Sequence, residues 1–509
     1  MPDSRSQSLH DFTEKCLTCP LLSLLFLLIV TITACQPTSI LVDVGLLTPT
    51  PGPDPLAHYR AVLQPWAQAD IEAVQPLPSY HITARLNDEG TAVVGVMQVV
   101  VPNPKAEFVF RLYPNLKNYR GSIDISQVLI DGDPVDIEML AEDTAIRVSR
   151  PAMIENESPQ PVRIELAFTT RLGHNPETKG NYTLFGWDGS VLSLPGFFPT
   201  LAVEQAGEWA LDQPPMHGDV LFNDVALYQL DLTLPADLLV ASSGVVLNVI
   251  DNPDGRRTWQ IAGGPLRDMT VIAGPFQAVS EHAAGATVTS YYLPGHETAA
   301  LAALAHATAA LRLYSDRYGA YPYTELEVVE APLNFRGMEY SGLVLIGEDL
   351  YEDQRDLLTF LVAHEVGHQW WYAVVGNNPY QHPWLDEGLT EYGAFDYYRG
   401  VFGQTQAEKL LTGRWQIPFA TAASGGVDGA VDRPAADFDP ASYELLVYSK
   451  AALFFNALRD QLGEETYDEL LQTYYAENRY RIATPQTLLA TAERISGQNL
   501  NPLAEKWLK

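Results

Sequence analysis

The chain has 509 residues, 47% hydrophobic and 18% charged, which is globular material for two or three domains. Its 31 basic and 63 acidic residues give a net charge of −32, which argues against nucleic acid or anionic lipid surfaces as partners, since both need positive charge opposite them. All three cysteines, Cys16, Cys19 and Cys35, fall at the start, so the rest of the chain has no disulfide.

An apolar run from Leu21 to Val30 follows Arg5 and Lys15. It is too short for a comfortable membrane span and suits the apolar core of a secretory signal. The run leads into Ile32-Thr33-Ala34-Cys35, which resembles a bacterial lipoprotein box. The expectation is a signal peptide over 1–34 and lipidation of the Cys35 thiol, with an uncleaved anchor as the alternative. Residues 35–56, with Thr48-Pro49-Thr50-Pro51-Gly52-Pro53, lack the amide donors and apolar pattern for helix or sheet and read as a tether. The body is then exported and held at the membrane of the cell envelope, outside the cytoplasm. Asn156-Glu157-Ser158 and Asn181-Tyr182-Thr183 match glycosylation acceptors, idle on a bacterial lipoprotein.

Over 57–281 the period is two. Tyr80 to Leu86, Val162 to Phe168 and Tyr228 to Leu234 alternate apolar and polar, as half-buried strands do. Turns such as Asn252-Pro253-Asp254-Gly255 separate them, so this region reads as an antiparallel β domain.

From 282 to 509 helical spacing takes over. Glu297 to Tyr318 is rich in Ala and Leu and stops at Gly319. Strands follow at 325–330 and 343–346, and helices dominate from 356 onward, including 385–400, 442–462 and 464–476. The helix that begins at 356 carries His364-Glu365-Val366-Gly367-His368, followed after eighteen residues by Glu387. Residues four apart share a helix face, so His364 and His368 can grip one metal ion while Glu365 leans over its open side as a base. Two histidines and one carboxylate, Glu387, are an established set for a catalytic Zn2+ that keeps a fourth place for water.

These residues, extended by Gln369-Trp370-Trp371 and Trp384-Leu385-Asp386-Glu387-Gly388, resemble the aminopeptidase N family of zinc metallopeptidases, the gluzincins. Upstream, Gly337-Met338-Glu339-Tyr340 looks like the family's exopeptidase motif; downstream, Tyr448-Ser449-Lys450-Ala451-Ala452 looks like its catalytic tyrosine segment. The resemblance implies an α+β, multi-domain fold: an N-terminal antiparallel β-saddle or sandwich followed by a thermolysin-like, mainly helical catalytic domain. It also implies one zinc per chain and removal of N-terminal residues from peptides with a free N-terminus.

Zinc polarises the scissile carbonyl and makes hydroxide available near neutral pH, and Glu365 is placed for general acid-base work. By the resemblance, Tyr448 is the second donor to the oxyanion, preferred to its neighbour Tyr443. Glu339 binds the substrate's α-amine, with Met338 and Gly337 beside it in a strand that pairs with the peptide. Arg336, Tyr340 and Ala451 depart from the family's usual residues, which leaves side-chain selectivity open. Asp386 and Glu391 are candidate carboxylate partners for the metal-bound histidines. His382 reads as structural, and His217 has no motif support. A thermolysin-type endopeptidase, or a catalytically silent peptide-binding scaffold of the same fold, are the alternatives. The stretch after Tyr448 suffices to finish a catalytic domain and holds no large helical C-terminal domain of the kind found in longer family members, so the cleft is expected to be open on one side.

Overall fold

The computed structural model describes residues 56–150, 160–173, 185–187, 189–333, 335–352 and 355–509. The expected signal peptide, Cys35, the tether up to residue 55 and both acceptor asparagines lie outside them. Among the described residues no helix is long and apolar enough to cross a membrane.

The alternating runs of the first half become an eight-stranded sheet. Its order is Val245–Asp251, Arg256–Leu266, Ala226–Pro235, Ser79–Leu86, Ala92–Val101, Val162–Arg171, Ser122–Ile130 and Asp133–Pro134. Ile82, Val93, Met97, Leu166 and Leu232 point from it into the core, as a period of two requires. One pairing departs from the antiparallel expectation: Ser79–Leu86 and Ala226–Pro235 run parallel. Parallel neighbours need a connection of a dozen residues or more, and the chain between these two strands is far longer than that.

A five-stranded sheet carries the second half, in the order Gln277–Ala283, Ala286–Tyr292, Glu325–Ala331, Leu343–Gly347 and Gly337–Tyr340. Gln277–Ala283 straddles the boundary expected at 281 and pairs with Ala286–Tyr292, so the second half takes it up whole. The helix Glu297–Tyr318 packs on this sheet and on the motif helix Arg355–Gly367, where Tyr314 donates to the carbonyl of Ala363 at 3.0 Å. The ligand helix Trp384–Phe402 follows, then Ala451–Leu462 and Glu464–Asn478. Two wide turns, Leu411–Gln416 and Glu444–Lys450, are π-helical; no periodicity in the sequence announces them.

The halves are joined through two buried neighbours. Arg267 donates to the carbonyls of Tyr372 at 2.6 Å, Val374 at 3.3 Å and Arg481 at 2.8 Å. Asp268 accepts from Ser243 and Thr270 on its own side, and from Ser341 and Tyr372 on the other.

Candidate metal centre and peptide cleft

The motif helix ends at Gly367, so His364 is helical and His368 lies in the turn just beyond. Close packing at that end brings the two helices together: a Cβ on Gly367 would stand 2.9 Å from Thr390 Cγ2 on the ligand helix. The donor atoms still converge. His364 Nε2 and His368 Nε2 are 3.2 Å apart, and Glu387 Oε2 lies 3.3 Å from the first and 3.4 Å from the second. Ligands about 2.1 Å from one tetrahedral zinc stand about 3.4 Å from each other, so the spacing fits that ion. All three residues are buried, and Glu387 Oε2 has no hydrogen-bond partner. Two imidazole nitrogens and a carboxylate oxygen converging at this spacing are a donor set for a divalent cation.

The histidine tautomers follow from what faces the other ring nitrogen. His368 Nδ1 is 3.1 Å from the carbonyl of Trp371, which can only accept, so Nδ1 carries the proton and Nε2 is left for metal. His364 Nδ1 lies 3.1 Å from Glu391 Oε2, off the line of a hydrogen bond in this structure but close enough for the carboxylate to favour a proton on Nδ1 over one on Nε2. Burial opposes the charge on Glu391, yet Arg414 and His364 hold it down to about 2. Asp386 does not share this part. It accepts from Asn377 Nδ2 at 2.9 Å and from the amide of Glu387 at 3.0 Å, and makes no described contact with either imidazole. One position before Glu387 on a helix is about 100° round the axis, so it faces the connection instead of the metal site. Burial and the charge of Glu387 push Asp386 up to about 7.

Glu365 is buried beside the donors, and burial pushes it up to about 7 against the pull of the two histidines. Gly337 explains how it fits: a Cβ there would lie 1.8 Å from Glu365 Oε1. The glycine of the edge strand is therefore the space the carboxylate occupies. Gln369 fixes this strand to the end of the motif helix, donating to the carbonyl of Tyr340 at 2.9 Å and accepting from the amide of Gly342 at 2.8 Å.

Tyr448, in the π-helical turn, donates to Glu387 Oε1 at 2.6 Å, and burial keeps its phenol neutral. Tyr443 instead packs on the rings of Phe438 and His217. Ala451 fits because Gly388 faces it: a Cβ on Gly388 would be 2.6 Å from that of Ala451. His217 Nε2 meets the carbonyl of Ala435 at 3.2 Å, and His382 pairs with Asp432 at 2.7 Å, both away from the donors.

Glu339 is buried, with an oxygen within 4.8 Å of the donor atoms of Glu365 and His368. Opposite it stands Asp219, a residue that the sequence reading passed over. A cavity of about 10 Å³ lies between them, walled by Tyr119, Met338, Tyr340 and Tyr372; that is room for one water-sized group. Burial raises both carboxyls well above their ordinary range, and the charge of Asp219 adds to the rise at Glu339. Asp219 Oδ2 is enclosed with no hydrogen-bond partner, and neither carboxylate has a described Lys or Arg partner. Asp219 comes from the long connection before the strand Ala226–Pro235. The only hint in sequence is a lone acid ahead of the apolar Val220-Leu221-Phe222.

A HExxH helix with a glutamate ligand on the following helix, behind a β-rich N-terminal half, defines a gluzincin-type zinc peptidase fold. Residues 302–507 match the sequence model of the Peptidase family M1 domain. Aminopeptidase M1-B of Oryza sativa subsp. japonica is 26% identical over 303 residues, 56% of this chain and 34% of that protein. Endoplasmic reticulum aminopeptidase 1 of Mus musculus is 27% identical over 227 residues, 41% of this chain and 24% of that protein. The chain thus spans about a third of the length of the first of these relatives. Among solved structures, a mutant M1 zinc metallopeptidase from Deinococcus radiodurans bound to a Tyr-Ser-Ala substrate superposes with a TM-score of 0.61 at 19% identity, covering 85% of this chain and 93% of that one.

Proposed function

We propose that the protein is a zinc-dependent aminopeptidase that holds one zinc per chain on His364, His368 and Glu387. The observation that carries the reading is an unbalanced charge. Asp219, Glu339, Glu365, Asp386 and Glu387 crowd one buried site with no described Lys or Arg among their partners. Buried charge of one sign is costly unless matched. Two cations supply the match: the metal at the convergent donors, and a substrate ammonium in the small cavity between Asp219 and Glu339.

With the ammonium fixed there, the first peptide bond is the one within reach of Glu365, and the edge strand Gly337–Tyr340 is available to pair with the extended backbone. Bound zinc would supply Lewis acidity to the carbonyl and to the attacking water. Glu365 accepts the proton of that water and returns it to the departing amine. Tyr448 turns its hydroxyl from Glu387 to the developing oxyanion. The aminopeptidases among the relatives, and the tripeptide bound to the Deinococcus neighbour, support a peptide substrate. The intact donors and Glu365 speak against a silent scaffold. Hydrolysis of aminoacyl-anilides, free and N-acetylated, with and without chelator, tests the proposal. Only the free-amine substrate in the presence of zinc should turn over; equal rates for blocked and free substrates would make the enzyme an endopeptidase.

The proposal extends to location. The lipobox-like Ile32-Thr33-Ala34-Cys35 supports export and anchoring through a lipidated Cys35. Cys35→Ser should release or mislocalise the protein; unchanged membrane association would favour an uncleaved helix.

A further inference from the structure

No motif contains Arg414 or Trp415, yet both reach the metal site through one oxygen. Glu391 is buried, with Oε2 at 3.1 Å from His364 Nδ1. Its other oxygen, Oε1, accepts from Arg414 Nε at 2.6 Å and from Trp415 Nε1 at 2.7 Å. Arg414 also lies flat on Phe360, its guanidinium carbon 3.9 Å from the ring centroid, and Phe360 stacks on His364 one helical turn along. Trp415 is wholly buried beside Tyr392.

The backbone makes this double contact possible. Successive side chains on an α-helix diverge by about 100°, too far for two neighbours to share one atom readily. Leu411–Gln416 is π-helical, between the α-helices Gln404–Leu410 and Ile417–Ser424. A π turn holds more residues per turn, so the angle between neighbours narrows. With both donors on Oε1, the carboxylate of Glu391 cannot rotate away, and Oε2 is the oxygen left for the histidine.

We propose that Arg414 and Trp415 are positioning residues that hold Glu391 Oε2 against His364 Nδ1 and so keep His364 Nε2 turned toward the metal. The proposal rests on the reading that His364, His368 and Glu387 hold zinc. It is tested on the zinc-loaded full chain with Arg414→Gln, Trp415→Phe, their combination and Arg414→Lys. The first readout is competition for zinc with a chromogenic chelator; the second is the visible spectrum of the cobalt-substituted protein. The double variant should bind zinc about 10–100-fold more weakly, as loss of an outer partner of a metal ligand does, with a shifted cobalt spectrum. Arg414→Lys should recover part of the affinity. Wild-type affinity and spectrum in the double variant would overturn the proposal. Should the double variant not fold, Arg414→Gln decides alone, because that side chain is 34% exposed and its loss opens no core. Severalfold weaker zinc binding supports the proposal, and unchanged binding overturns it. A wild-type chain that takes up no zinc would overturn the aminopeptidase reading as well.

Discussion

Glu365 is the side chain on which turnover should depend most. Glu365→Gln is expected to keep the metal and lose about 10²–10⁴ in rate, whereas His368→Ala should lose the metal itself. Metal analysis of both variants beside kcat is the check, and full zinc in the His368 variant would sink the ligand assignment. Burial raises Glu365 to about 7, so its basic form appears as pH rises. Zinc on the adjacent histidines favours the ionised form and moves the limb down. The expected profile of kcat/KM is an acid limb between about pH 5 and 7, and activity that climbs as pH falls would contradict it. Without metal, burial alone would lower both histidines, but the surrounding carboxylates raise each to about 10. Zinc must then displace protons. Calorimetric titration of apo protein at pH 7.5 in buffers of different ionisation enthalpy should show proton release, and a heat independent of buffer would refute it. At this scale His364, His368, Glu365 and Glu387 were legible because their spacing is itself the chemistry. Asp219, Arg414 and Trp415 were not, because each is brought in by the fold from a stretch with no spacing rule. Asp386 looked like Glu391 in sequence; only its direction round the helix separates them.

Strands and helices of the catalytic half followed their periodicity closely: Glu297–Tyr318, Glu325–Ala331, Leu343–Gly347 and Glu464–Asn478 all lie where the pattern predicts. The two π-helical turns and the parallel strand pair were not legible, since side-chain period reports neither an extra residue per turn nor which distant strand is a neighbour. Small residues set how near the elements come. Gly337→Ala would put a methyl group 1.8 Å from Glu365 Oε1, and its φ is not in the left-handed region, so the backbone itself tolerates the change. The expected result is a folded protein that keeps its zinc and loses at least about tenfold in kcat, as misplacement of a reacting group does. Near wild-type kcat would show that the strand and Glu365 do not meet in solution. Gly388→Ala crowds Ala451 and Phe455, and overpacking of this kind costs about 1–3 kcal/mol. A denaturant melt measures it; a variant as stable as the parent would contradict the close packing.

For the molecule as a whole, a net charge of −32 and an acidic cleft should draw cationic peptide amines from a distance. Salt screens such attraction. For a basic peptide, kcat/KM is expected to fall roughly two- to tenfold between about 50 and 500 mM salt, with little change for an acidic one. A rate indifferent to salt for both would remove steering from the account. Arg267 should matter far beyond its own side chain. Arg267→Met takes the side-chain donor from three carbonyls of the catalytic half; those of Val374 and Arg481 keep a backbone amide and that of Tyr372 loses its described donor, a loss of about 1–3 kcal/mol, to be read from urea unfolding. That same fastening has a mechanical meaning. A cleft whose opposite walls are riveted together through Arg267 and Asp268 has no jaw to swing, so the shape that receives the peptide is the shape the empty protein already has. A lattice that forbids large motions should then leave the enzyme at work: crystals soaked in an aminoacyl-4-nitroanilide are expected to yellow steadily without cracking.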